Sequence, residues 1–318
     1  MKIAIVDDYH GLSTSLVEWG GLASDVTVFR DPIAPEAVVD ELRAFDVLCL
    51  MRERTPLPAG VIRQLPNLRL IVTTGMRNAS IDLDAARARG IRVCGTASRP
   101  QATSQLTMLL MLAAMRGLFA EVSSVRDGRW QSGAGRDLFG LTLGLVGLGK
   151  QGGAVAGLAQ AFGMRVIAWS RNLTDARCDE LGVTRAADLN SLLAESDVVS
   201  IHLVLSERTV GLIGEGELSR MKPDSLLVNT SRGPIVDERA LLAALRNGRP
   251  AMAALDVYDQ EPLPPDHPLR DRDLIDSGRL LLTPHIGYGS LQNYRRMYEE
   301  TFEAVTSWLA GAPVRVIA

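Results

Sequence analysis

Short, unbroken apolar runs alternate with helical segments through almost the whole chain, and this alternation constrains the fold more than any other feature. Residues 2–6, 47–51, 70–73 and 91–94 read as strands, and residues 35–44 and 83–89 between them have helical spacing. After Gly140 the pattern starts again, with strands at 143–146, 166–169, 198–203, 226–229, 253–257 and 280–282 and helices at 152–162, 188–193, 237–246 and 291–309. A long apolar helix over about 102–119 separates the two sets. Strands separated by helices build βαβ units and a parallel sheet. Strand runs without polar alternation must be covered on both faces. The expected fold is α/β, with two doubly wound parallel-sheet domains in tandem and a cleft between them suited to a small ligand. Periodicity alone does not say on which sheet the last helix packs.

The length of 318 residues agrees with two cores rather than one. Hydrophobic residues make up 47% and charged residues 22%, with a formal net charge of -3. Nothing in that balance asks for nucleic acid. Three widely spaced cysteines (Cys49, Cys94, Cys178) and four scattered histidines form neither a disulfide framework nor a metal pattern. The opening MKIAIVDD reads as a strand rather than a leader. The longest apolar run, residues 106–115, is interrupted by Thr107 and is too short to span a bilayer. The expectation is a cytoplasmic protein in a reducing compartment, with no membrane association and no metal.

The sharpest local motif is LTLGLVGLGKQGGAVAG, in which a strand ends at Val146 and a helix follows. Gly147, Gly149 and Gly152 have GxGxxG spacing, and Lys150 and Gln151 fill the turn between them. Such a turn lets the backbone approach a pyrophosphate and aims a helix N-terminus at it. Strand–turn–helix context raises the motif well above a chance match in a glycine-rich chain. A dinucleotide site for NAD usually carries an acid about 20 residues further on, which bonds the ribose 2′-hydroxyl. Here the strand end reads Ser170, Arg171, Asn172, with no carboxylate. A hydroxyl and a guanidinium suit a 2′-phosphate, so NADP(H) is expected ahead of NAD(H), the alternative cofactor. As a plain alternative, Arg171 is a solvated loop residue. His202, near the end of the 198–203 strand, is counted with the cofactor-binding residues.

Three further segments place reactive side chains at or beyond strand ends, where ligands bind in open α/β sheets. They are VNTSRGPIVDE with Arg232, ALDVYDQEPLP with Asp256 and Glu261, and LLTPHIGYGS with His285. Singly, each has a bland reading: a surface cation, an exposed turn acid, a satisfied core histidine. Together, a cation, an acid and an imidazole suit reduction of a 2-oxo acid, which needs a carboxylate anchor, a proton donor and a hydride source.

With these motifs in order, residues 48–311 resemble the D-isomer-specific 2-hydroxyacid dehydrogenase family, including glyoxylate/hydroxypyruvate reductase-like and phosphoglycerate dehydrogenase-like members; the segment MKPDSLLVNTSRGPIVDERALLAAL adds to the match. The resemblance implies two Rossmann-like domains: a substrate domain over 1–96 completed by 285–318, and an NAD(P)-binding domain over 97–284. It also implies a homodimer built on the cofactor domains. By position, Arg232 matches the substrate-holding arginine, His285 the general acid/base and Glu261 the acid that orients it. Asp256 matches the residue that contacts the nicotinamide carboxamide, and Thr230 stands where backbone contacts to the nicotinamide are expected. Formate dehydrogenases carry Gln where Glu261 stands, so the acid favours hydroxyacid chemistry.

Two segments depart from the family pattern. Met76, Arg77 and Asn78 replace the small residues of the usual glycine-rich substrate loop, either as a second clamp on the substrate or as a reshaped loop with Arg77 in solvent. Arg52, on a strand end, is a further candidate substrate residue. Gln105 stands where relatives usually have Glu. A glyoxylate- or hydroxypyruvate-type substrate is favoured. A dinucleotide-sensing, corepressor-like binding protein and a dehydrogenase for another small anion such as phosphite are the alternatives.

Overall fold

Neighbouring residues of each strand serve different cores, which explains why the strands are apolar throughout. In the computed structural model, residues 1–97 and 99–318 are described. The first sheet contains β1 (Ile3–Val6), β2 (Val26–Val28), β3 (Val47–Leu50), β4 (Leu70–Thr73) and β5 (Arg92–Gly95). The strands are parallel in the order β2-β1-β3-β4-β5. Ala4, Val6, Leu48, Leu50, Ile71 and Val93 enter one core; Ile3, Ile5, Val47, Cys49, Leu70 and Val72 enter another. Alternate side chains point to opposite faces, so a polar residue at any of these positions would be buried without a partner.

The second sheet contains β6 (Thr142–Val146), β7 (Arg165–Trp169), β8 (Thr184–Arg185), β9 (Val198–Ile201), β10 (Leu226–Asn229), β11 (Met252–Leu255) and β12 (Leu280–Leu282). Its order is β12-β11-β10-β9-β6-β7-β8, again parallel. Leu226 and Val228 face one core while Leu227 faces the other. The strand order reverses direction at β6 and β9, and such a switch point opens a crevice beyond the strand ends. The expected α/β architecture of two doubly wound parallel sheets is thus the observed one.

Two compact units result, Met1–Arg99 with Tyr288–Ala318, and Pro100–Gly287. The C-terminal helix Leu291–Leu309 belongs to the first, where Met297, Tyr298, Ala304 and Val305 enter the core. The tail then covers the edge of β5. Val93 N–H donates to Ala318 O at 2.8 Å, Ile317 N–H to Val93 O at 2.8 Å, and Gly95 N–H to Arg315 O at 2.9 Å. An open edge would otherwise present unpaired backbone groups.

The central helix differs from the sequence reading. It ends at Met115 because Gly117 adopts φ 59°, in the left-handed region, and a second helix begins at Leu118. The strand expected to run to residue 203 stops at Ile201. β2 and the two-residue β8 were not expected; both are short, β2 half-buried and β8 exposed, so they carry little apolar signal. No single helix among the described residues is long and apolar enough to cross a membrane.

Candidate active site

The glycine turn after β6 is built around three different steric demands. Gly147 has φ 108°, and a Cβ there would lie 2.5 Å from His202 O. A Cβ on Gly152 would lie 2.1 Å from Gly147 O, so the helix sits directly on the turn. Gly149, the N-cap of the helix Lys150–Ala161, has nothing within 4 Å of its Cβ position. The backbone is therefore tight behind the turn and open in front of it, where the first N–H groups of the helix lack intrahelical partners. Gln151 Oε1 is buried with no hydrogen-bond partner among the described residues, a polar group that a ligand on the turn would satisfy. These features fit a pyrophosphate group.

Two residues brace this turn. Arg177, absent from the sequence expectations, donates through Nε to Leu148 O at 3.2 Å and pairs with Glu180 at 2.6 Å. His202 donates its N–H to Val146 O at 2.8 Å, and its Nε2 lies 2.9 Å from Ser200 Oγ. Burial pushes the His202 imidazole down to about 4, so it is neutral at physiological pH. At the end of β7, Ser170 is half-buried while Arg171 and Asn172 are exposed. The next acid along the chain, Asp175, pairs with Arg185 at 3.0 Å.

The candidate reacting groups follow β10, β11 and β12, three adjacent strands. Glu261 Oε2 and His285 Nδ1 are 2.5 Å apart, and Tyr258 N–H donates to Glu261 Oε1 at 3.0 Å. Both carboxylate oxygens are thus used, one to seat the side chain and one to meet the imidazole. His285 lies in the left-handed region at φ 52°, an uncommon conformation for a residue with a Cβ. Arg232 sits at the next strand end with Nη1 donating to Ser231 O at 2.8 Å. Its neighbour Gly233 abuts the Tyr258–Asp259 peptide so closely that a Cβ would fall 2.0 Å from Tyr258 C. That packing joins the Arg232 turn to the Glu261 loop.

Asp256 is fully buried. Its carboxylate accepts from Thr283 Oγ1 at 2.7 Å, Ile286 N–H at 2.8 Å and Gly287 N–H at 2.7 Å. Burial pushes its carboxyl above the usual carboxylate range, and these donors oppose that rise. Asp256 therefore holds the turn that carries His285. Thr230, also buried, has its hydroxyl 2.8 Å from Thr107 Oγ1 on the central helix. Thr107, the residue that interrupts the apolar run, also donates through Oγ1 to Thr103 O at 2.8 Å one turn earlier. Gln105 is exposed. No group of three or more His, Cys, Asp and Glu among the described residues could hold a metal ion.

The remaining sequence candidates lie in the first unit. Asn78 is buried and its amide is engaged within the loop. Nδ2 donates to Arg52 O at 2.6 Å and Thr73 Oγ1 at 2.9 Å, and Oδ1 accepts from Ser80 N–H at 2.9 Å. Asn78 is a loop staple, and Met76 and Arg77 are the loop's exposed side chains. Arg52, at φ 55°, donates through Nη1 to Thr74 O at 3.2 Å.

A glycine-turn dinucleotide fold with an acid–imidazole pair on neighbouring strand ends defines a class of hydride-transferring oxidoreductases. Residues 108–287 match the D-isomer specific 2-hydroxyacid dehydrogenase, NAD binding domain, and the chain belongs to that family. It is 36% identical to the glyoxylate reductase of Korarchaeum cryptofilum over 90% of this chain and 87% of that protein. It is 33% identical to the D-3-phosphoglycerate dehydrogenase of Archaeoglobus fulgidus over 99% of this chain, but spans only 58% of that protein. The crystal structure of phosphoglycerate oxidoreductase from Vibrio cholerae superposes with a TM-score of 0.91 at 37% identity, covering 98% of this chain and all of that one.

Proposed function

We propose that the chain is a nicotinamide-dependent 2-oxo acid reductase, acting in reverse on the D-2-hydroxy acid, with Arg232, Glu261 and His285 as its catalytic residues. The observation that carries this reading is the 2.5 Å contact between Glu261 and His285. A carboxylate on Nδ1 fixes the orientation of the ring and leaves Nε2 free to face the substrate. His285 then carries the transferred proton on Nε2, giving it to the carbonyl oxygen in reduction and taking it back in oxidation. Arg232 binds the substrate carboxylate and polarises the carbonyl. The cofactor, when bound, supplies or accepts the hydride. Gly147, Gly149, Lys150, Gln151 and Gly152 would hold its pyrophosphate, and His202, Thr230 and Asp256 frame the nicotinamide end. A glyoxylate- or hydroxypyruvate-type acid is the favoured substrate.

NADP(H) is the proposed cofactor, because β7 ends in Ser170 and Arg171 and the nearest acid is paired with Arg185. Arg171→Ala is expected to raise KM for NADPH about tenfold, the loss of one charge-assisted contact, with little change for NADH. A wild-type enzyme that strongly prefers NADH would overturn this assignment.

The chain is further proposed to form a homodimer through its second unit. Leu109, Leu118, Phe119, Val122, Val125 and Trp130 are each more than 44% exposed on or just beyond two consecutive helices, a concentration of apolar surface that single chains seldom leave in water. Sedimentation equilibrium should give about twice the 34.4 kDa chain mass, and Phe119→Glu should shift it toward one chain. A single-chain mass for the unaltered protein at micromolar concentration would contradict the dimer.

A further inference from the structure

His285 occupies a backbone conformation that must be imposed by its surroundings. A residue with a Cβ is disfavoured in the left-handed region, and the φ of 52° at His285 is held from two sides. On one side is Asp256, which collects Thr283 Oγ1, Ile286 N–H and Gly287 N–H. On the other is Tyr258, two residues further along the same loop. Its hydroxyl donates to Thr283 O at 2.8 Å, the same carbonyl that accepts His285 N–H at 3.0 Å. A longer contact, 3.3 Å, runs to Leu255 O at the end of β11.

The backbone of Tyr258 reaches the other two reacting segments. Its N–H donates to Glu261 Oε1 at 3.0 Å. Its carbonyl carbon lies where a Cβ on Gly233, next to Arg232, would come within 2.0 Å. One residue therefore touches the segments of all three groups. Its backbone contacts are available to any side chain, whereas the tie to Thr283 O needs a hydroxyl. Phenylalanine would fill the same buried space without it.

We propose that Tyr258 is a positioning residue of this enzyme: through its hydroxyl it locks the His285 turn against the loop that carries Glu261, and so sets the registry of the acid–imidazole pair. The proposal rests on the reading of Glu261 and His285 as the proton-transfer pair. Burial raises the phenol well above its ordinary range, so it remains a donor at any working pH. Without the hydroxyl, the turn relaxes and the pair spends less time at its short separation. Misplacement of a reacting group by a fraction of an ångström is enough to cost an order of magnitude in rate.

Tyr258→Phe tests this with two independent readouts. The first is the low-field Nδ1–H proton resonance of His285 by NMR, assigned by its loss in His285→Gln; it requires no substrate. A looser contact with Glu261 weakens that hydrogen bond, so the resonance should move upfield or be lost to solvent exchange in Tyr258→Phe. The second is steady-state reduction of glyoxylate or hydroxypyruvate. There kcat should fall roughly tenfold with KM for NADPH unchanged. If the hydroxyl serves the fold alone, Tm falls but the His285 Nδ1–H resonance and kcat match the parent protein, and the proposal is overturned. If the parent protein turns over neither acid, the oxo acid reading is what fails, and the Nδ1–H resonance alone decides the role of Tyr258.

Discussion

His285→Ala should lower kcat for oxo acid reduction by about a hundred- to ten-thousand-fold, the range associated with loss of a positioned general acid, while KM for the nicotinamide cofactor stays within about twofold of the parent value. The imidazole is the group that the turn after β12 is built to present. Glu261 meets it at 2.5 Å, and Asp256 and Tyr258 hold the backbone around it. Removing the ring leaves those supports in place, because they act on Thr283, Ile286 and Gly287 rather than on the side chain. The loss should therefore appear in the chemical step. A variant that loses cofactor affinity and turnover in parallel would instead mark His285 as a residue of the fold.

Arg232→Lys should be nearly as damaging, lowering kcat/KM for the oxo acid by about a hundred- to thousand-fold. A lysine keeps the charge but not the planar fork that meets a carboxylate with two parallel hydrogen bonds. Arg232 is oriented by its own strand end: Nη1 donates to Ser231 O at 2.8 Å, and Asn229 Nδ2 donates to Arg232 O at 2.9 Å. An ammonium on a flexible stem would not inherit that orientation. The expected signature is a raised KM for the oxo acid together with a reduced kcat, and an unchanged KM for cofactor. Full activity in Arg232→Lys would show that a point charge suffices and that bidentate binding plays no part.

The sequence reveals those parts of the molecule in which a physical constraint falls on neighbouring residues. Both sheets announce themselves, because strands such as 226–229 must be apolar at Leu226, Leu227 and Val228 alike to feed two cores. The glycine turn is equally legible, since Gly147 and Gly152 are each required by a backbone atom that a Cβ would strike. Constraints from distant residues are hidden. The break at Gly117 lies just past the apolar run 106–115 and depends on one positive φ. The tail pairing with β5 involves too few residues to carry a period. Asn78 illustrates the same limit in the site: its polarity suggests a ligand contact, but its amide is spent on Arg52 O, Thr73 and Ser80. The mutual roles of Glu261 and His285 came from resemblance to a family, because no spacing rule links positions 24 residues apart.

The most direct test of the account is turnover itself. The purified protein should be assayed for oxidation of NADPH and NADH with glyoxylate, hydroxypyruvate, pyruvate and a bulkier 2-oxo acid, each beside His285→Ala. The account predicts saturable oxidation with at least one of these acids, faster with NADPH than with NADH, and abolished in His285→Ala. Cofactor binding without turnover on any of the acids would contradict it and support a dinucleotide-sensing binding protein.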